Sequence, residues 1–258
     1  MRLAVIDLGS NSFRLVVFEA GEAWWRRTDE IYEPVRIGEG LMATGRLGEA
    51  PIERALATLD VFAHFCAANG VGADEIDAVA TSAIRDAENS EEFLARARER
   101  FGLPIRVLSR EQEAYHGYLA AVNSTTLSDG CVLDLGGGSL QLVRVAARHA
   151  ADSGSWRLGT VRMSERFLPP NGPAKRRQLN ELREHIAAEL DGTPWLAALR
   201  ERGPGGEPLR LVGIGGTVRN LAAAAQRAAG LPSQARPHTL IGGVAGRSSV
   251  DPARSPSA

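Results

Sequence analysis

Apolar runs bracket a polar Gly/Ser stretch along "VIDLGSNSFRLVVF", residues 5–18, and again along "VLDLGGGSLQLVRV", residues 132–145. Each stretch reads as strand, tight Gly/Ser turn, strand, a hairpin with aliphatic and β-branched flanks. Laid over each other they share Val, Asp, Leu, Gly, Ser, Leu and Val, so the phrase recurs about one domain length later. After the first hairpin the pattern predicts a strand over Trp24–Val35, a glycine-punctuated loop "RIGEGLMATGRLGEA", and a helix opened by Pro51. The apolar residues of that helix, Ile52, Ala55, Leu56, Leu59, Phe62, Ala63 and Cys66, fall on one face. A strand over Ile76–Ala83 follows, then a helix in "NSEEFLARARERFG" with Asn89 and Glu92 as a capping box and Gly102 as its stop. "IRVLS" reads as a short strand, and Ser109 with Gln112 caps the next helix.

The second half repeats the scheme more loosely. It gives the hairpin, a strand through "WRLGTVRMSERF", a helix from about Lys175 to Leu190, a strand "LRLVGI" and a helix from Thr217 to Ala229. From Gly242 onward periodicity and large apolar residues are lost, which predicts a disordered tail over 242–258. Strands alternating with helices predict an α/β protein whose sheets are covered by helices.

A chain of 258 residues, 44% hydrophobic and 24% charged, has the composition of a soluble globular protein of one or two domains. Its formal net charge of −1 provides no global field for DNA, RNA or an anionic membrane, so a polyanion would be held by a local patch. Cys66 and Cys131 sit in apolar runs without metal-ligand spacing and read as buried hydrophobes in a reducing compartment. With no signal-peptide pattern and no uncharged stretch near the ~20 residues that span a bilayer, the expected location is the cytoplasm.

A glycine turn between two strands exposes successive backbone N–H groups that suit phosphate, and glycine lets an anion approach closely. Asp7 and Asp134, at the ends of the leading strands, add hard carboxylate oxygens able to hold a divalent cation. One such turn alone is as well explained as a tight hairpin; two copies a domain apart argue for paired phosphate cradles. A third turn, "GIGGTVRNLA", with Gly215, Gly216 and Thr217, runs from a strand directly into a helix, the usual setting for binding an anion.

Together "VIDLGSNSFRLVVF", "ATSAIRDAENSEEFL", "SREQEAYHGYLAA", "VLDLGGGSLQLV" and "GIGGTVRNLA" resemble, in order and approximate spacing, the Ppx/GppA family of exopolyphosphatases and guanosine pentaphosphate phosphohydrolases, over roughly residues 1–242. The resemblance implies two duplicated ribonuclease H-like, actin-like ATPase domains with a cleft between them. These would be domain I at 1–122 and domain II at 123–241, the latter cut short. It implies hydrolysis of terminal phosphate from polyphosphate or guanosine pentaphosphate with Mg²⁺ or Mn²⁺, and a possible homodimer. Glu113 matches the general base; from the residues alone Glu111 would serve equally well as a helix-dipole carboxylate. Arg85 matches the phosphate-facing arginine. Gly9, Ser10, Asn11 and Ser12, and Gly136, Gly137, Gly138 and Ser139, match the two phosphate loops, and Asp134 matches the metal-linked acid.

Two departures stand out. Gln141 occupies a position where better-known members carry a glutamate, keeping hydrogen bonds but losing charge. The chain also stops about 40 residues beyond the third turn, where the family continues with helices that complete the second domain. Both features favour an alternative reading, a polyphosphate or alarmone sensor that kept the cradle and lost the chemistry. An ATP-dependent kinase of the same superfold is a third reading, disfavoured by the Ser-Asn-Ser turn and by the lack of a sugar-site aspartate. The basic run "AKRRQ", residues 174–178, with Arg183 is a candidate track for a phosphate polymer or simply a solvated helix face.

Overall fold

In the computed structural model, which describes residues 1–199 and 209–230, the apolar flanks of the first hairpin form one buried and one half-open sheet face. Strands β1 (Arg2–Leu8) and β2 (Phe13–Ala20) bury Ala4, Ile6, Leu8, Phe13, Leu15 and Val17 on the same side, as the period of two requires. β3 (Trp25–Glu33) pairs antiparallel with β2. The glycine-punctuated loop then contains a single helical turn, α1 (Leu41–Thr44). α2 (Glu49–Ala68) lays Ile52, Ala55, Leu56, Leu59, Phe62 and Cys66 into the core, with Ile52, Leu56, Leu59 and Phe62 each contributing about 1.5–3 kcal/mol by burial.

The strand expected over Ile76–Ala83 is shorter. β4 (Ile76–Ala80) stops at Thr81, and the chain turns into α3 (Ser82–Asp86), where the Ala83 amide donates to Ser10 Oγ at 3.1 Å. α4 (Ser90–Phe101) ends at Gly102, left-handed at φ 65°, as expected. The Asn89 capping box does not form. Asn89 instead accepts from the Leu47 amide at 2.8 Å and donates to the Leu47 carbonyl at 3.1 Å, satisfying both polar groups of a buried loop peptide. β5 (Ile105–Val107) completes a sheet of order β3-β2-β1-β4-β5, in which β4 and β5 run parallel to β1.

α5 (Arg110–Ser124) opens with the predicted Ser109/Gln112 capping box. It seats Ala114, Tyr118, Ala121 and Val122 on the second sheet, in a cluster with Leu127, Val132, Val143 and Val145. That sheet repeats the first: β6 (Gly130–Leu135) and β7 (Leu140–Ala146) form the second hairpin, and β8 (His149–Trp156) pairs antiparallel with β7. The strand expected through "WRLGTVRMSERF" is corrected here, because β8 ends at Trp156 and α6 (Thr160–Phe167) begins after Gly159. The first amides of α6 donate to Gly136 and Gly137 carbonyls at 2.9–3.2 Å, so the glycine turn itself caps the helix. α7 (Arg176–Asp191) and α8 (Pro194–Ala198) precede β9 (Leu211–Ile214), which lies parallel to β6, and α9 (Gly216–Ala228) follows.

The order β8-β7-β6-β9 matches β3-β2-β1-β4 strand for strand. Cys66 and Cys131 are both free and buried, as expected. Among the described residues no helix is long and apolar enough to cross a membrane. Within "AKRRQ", Arg177 pairs with Glu181 on an exposed face of α7 at 2.7 Å. The tail expected to be disordered, 242–258, lies outside the described residues.

Candidate functional site

The two hairpin turns close identically. The Gly9 amide donates to the Ser12 carbonyl at 3.1 Å, and the Gly136 amide donates to the Ser139 carbonyl at 3.0 Å. The register repeats as well, with Asp7 opposite Arg14 in the first hairpin and Asp134 opposite Gln141 in the second. The turns then meet. A Cβ on Gly137 would lie 3.2 Å from Asn11 Cβ, and one on Gly138 would overlap the hydroxyls of Ser10 and Ser82. Those two hydroxyls bond each other at 2.8 Å.

Glu113, in the first turn of α5, joins the two halves. Its Oε2 accepts from Arg85 Nη1 of α3 at 2.8 Å, and its Oε1 accepts from Ser139 Oγ of the second turn at 3.2 Å. Arg85 Nη1 also donates to the Leu108 carbonyl at 2.9 Å, while its buried Nε has no hydrogen-bond partner among the described residues. Both members of the Arg85–Glu113 pair are largely withdrawn from solvent. Behind them Gln141 is buried and donates from Nε2 to Ser139 Oγ at 2.9 Å, which leaves the Ser139 hydroxyl proton directed at Glu113. Glu111, by contrast, caps its own helix by accepting from Ser109 Oγ at 2.8 Å.

Asp7 and Asp134 face the same space. Burial, then the nearby charge of Glu113, push the Asp7 carboxyl up to about 6, with Arg14 opposing. Asp7 itself stays open to solvent, so the like charge of Glu113 close by is what most penalises an ionised carboxylate there. Asp134 is likewise raised to about 6 by burial, by Glu113 and by Asp7. Gly215, at φ 90°, stands where a Cβ would approach Asp134 Oδ1 to 2.8 Å, so the third turn comes up to this carboxylate only as bare backbone. Gly216 opens α9, and Thr217 Oγ1 lies 3.4 Å from Thr160 Oγ1 at the start of α6.

Two carboxylates close enough to repel each other and Glu113 form a donor set that a hard divalent cation would neutralise, and the residues fit one. Among the described residues no three His, Cys, Asp or Glu side chains group as metal ligands, so water or phosphate oxygens would complete the cation's shell.

Several residues of this site were not singled out from the sequence. Ser82 and Gly159 press the second turn from opposite sides, a Cβ on Gly159 overlapping the Gly138 and Ser139 backbone. Arg162 donates from Nε to the Gly138 carbonyl at 3.0 Å and from Nη2 to Asp86 at 2.9 Å. The sequence reading put Arg162 on a strand, whereas it stands in the first turn of α6.

A family model described as the Ppx/GppA phosphatase family matches residues 26–233. The chain belongs to the Ppx/GppA phosphatase family. Exopolyphosphatase 1 of Mycobacterium tuberculosis and its namesake in Mycobacterium bovis are each 32% identical over 225 residues, spanning 86% of this Ppx/GppA chain and 63% of their own length. The chain therefore spans less than two thirds of these curated relatives. A crystal structure of an exopolyphosphatase from Cytophaga hutchinsonii matches with a TM-score of 0.79 at 22% identity, over 89% of this chain and 71% of the other. The Ppx/GppA member from Aquifex aeolicus matches with a TM-score of 0.66 at 31% identity, over 88% of this chain and 70% of the other. The α/β class and the two-domain, actin-like arrangement expected from the sequence are thus borne out.

Proposed function

We propose that this Ppx/GppA chain releases terminal phosphate from inorganic polyphosphate by in-line attack of water, with guanosine pentaphosphate as the alternative substrate of the same site. The observation that carries the reading is the position of Glu113, which touches Arg85 from one half and Ser139 of the glycine turn from the other. The Gly9 and Gly136 amides close the turns, and the amides of Ser10–Ser12 and Gly137–Ser139 cradle phosphate oxygens. Arg85, whose buried Nε has no partner among the described residues, binds the terminal phosphoryl group. A phosphoryl group drawn to Arg85 competes for its guanidinium and frees Glu113 Oε2 to take a proton from the attacking water. Ser139, oriented by Gln141, holds the other carboxylate oxygen and so fixes the direction in which Oε2 points. A divalent cation, Mg²⁺ or Mn²⁺, held by Asp7 and Asp134 would offset the charge on the phosphoryl oxygens.

A second reading is a protein that binds these anions without turning them over. It has Gln141 in its favour, since an amide at this buried position adds no negative charge to a metal site. The test is orthophosphate release from long-chain polyphosphate, with guanosine pentaphosphate and ATP in parallel, in Mg²⁺ and then Mn²⁺. Release that falls about 10²–10⁴-fold in Glu113→Gln, with binding retained, supports the hydrolase. Unchanged release in that variant sinks the base assignment. Tight binding without release in either metal supports the sensor.

A further inference from the structure

On the other face of α3 from Arg85, the next residue, Asp86, is nearly closed off from solvent and meets three arginines. Arg162 Nη2 lies 2.9 Å and Arg157 Nε 3.1 Å from Asp86 Oδ2, and Arg110 Nη2 lies 3.6 Å from Oδ1. One carboxylate offsets one of these charges and leaves two guanidiniums in excess. The crowding is costly: burial, together with Arg157 and Arg110, pushes the Arg162 guanidinium below its ordinary value.

Beside this cluster a cavity of about 380 Å³ opens between α1 and α3 on one side and α6 and α7 on the other. Its size falls among small-ligand sites, about 300–1,000 Å³. Met42 and Leu41 form an apolar edge, and Arg157, Arg162, Arg166 and His185 line it with nitrogen donors. Asp86 is already shared among three arginines, and Glu189 is the remaining acid of the lining. Arg162 is held by the Gly138 carbonyl, Met42 Sδ and Asp86, and the guanidiniums of Arg157 and Arg166 beside this open space match the oxygens of a tetrahedral dianion better than any neutral solute.

We propose that this interdomain cavity is a second anion site, distinct from the glycine turns, which takes a phosphate group. The phosphate is either free orthophosphate or an inner segment of a polyphosphate chain. Arg162 touches the cavity and also the Gly138 carbonyl, so occupancy is transmitted to the second turn.

The experiment is calorimetric titration in Mg²⁺ at low ionic strength, with orthophosphate in one arm and a methylene-bridged triphosphate that cannot be hydrolysed in the other. Wild-type protein is expected to bind two equivalents of the triphosphate. Arg157→Ala with Arg166→Ala, two largely solvent-facing side chains, is expected to lose one equivalent or weaken it at least tenfold while the other stays unchanged. Asp86→Asn, which enlarges the cationic excess, is expected to tighten the cavity site. Orthophosphate filling the same site identifies free phosphate as its occupant; a response to triphosphate alone identifies the chain. Wild-type stoichiometry and affinity in the double variant overturn the proposal and leave the hydrolase reading standing. A single equivalent that the double variant abolishes upholds the cavity site and sinks the turns as phosphate cradles. No binding at all overturns both.

Discussion

The turn at Gly9–Ser12 and the turn at Gly136–Ser139 share a hydrogen bond, a strand register and a sheet position, but they meet their surroundings differently. The first keeps side chains and uses one of them: Ser10 Oγ accepts from the Ala83 amide and stitches the turn to α3. The second is bare at Gly137 and Gly138 because Ser10, Ser82 and Asn11 already fill the space on one side and Gly159 closes the other. A duplicated hairpin has thus divided its labour, one copy serving as an anvil with hydroxyls and the other as a thin backbone blade laid upon it. The same asymmetry runs one residue pair deeper, where Arg14 beside Asp7 is replaced by Gln141 beside Asp134.

The largest expected effect lies where the two copies are joined. Glu113→Gln keeps the shape and the contact with Ser139 but removes the base and half of the Arg85 pair, so orthophosphate release should fall about 10²–10⁴-fold. Next comes the blade itself. Gly138→Ala forces the second turn off Ser10 and Ser82, and a displacement of about 1 Å costs on the order of 10²-fold in turnover. Adding Ser10→Ala and Ser82→Ala removes both overlapping hydroxyls and should recover part of that loss, although each serine variant alone is harmful. A triple variant no better than the product of its parts would mean that the turns do not bear on each other in solution.

The duplication, the two turns and the helix of Glu113 were legible because each is local: aliphatic and β-branched runs either side of a glycine turn, and a Ser/Gln capping box. The contacts that make the turns unequal were not. Ser82 was hidden in a stretch read as continuous strand, since nothing in "AVATSA" announces that Ser10 will capture the Ala83 amide. Arg162 lies in a segment read as strand, because the helix that carries it is capped by glycine carbonyls from residues 136–137 rather than by its own neighbours. Asn89 looked like a cap from spacing alone and serves a loop peptide 42 residues away. Each failure is a tertiary partner overriding a local preference.

Gln141 offers a smaller and sharper probe of the asymmetry. Gln141→Glu places a carboxylate at a buried position and withdraws the N–H that Ser139 accepts, so Ser139 turns its proton from Glu113 toward the new acid. In chelator the variant should lose about 1–3 kcal/mol of stability, the cost of an unpaired buried group, and Mg²⁺ should restore much of it. Thermal melting with and without Mg²⁺ reads this directly. A loss that Mg²⁺ does not touch would mean that position 141 does not face the cation.

The smallest effect concerns the two aspartates. Both carboxyls titrate near 6 when folded against an ordinary value of 3.8, so the folded state binds protons more tightly than the unfolded chain. Their contribution to stability is full below pH 3.8 and is lost as pH rises through about 6, where both become charged and repel. In chelator at pH 7.5, Asp134→Asn should therefore raise the melting temperature by about 2–4 °C, corresponding to about 1 kcal/mol of relieved repulsion in a chain of this size. The same substitution should abolish the rise that Mg²⁺ gives the wild type, and near pH 4 its benefit should vanish. A variant that is destabilised equally at both pH values would show that Asp134 is held by hydrogen bonds rather than strained by its neighbours, and the charge pairing of the two hairpins would have to be redrawn.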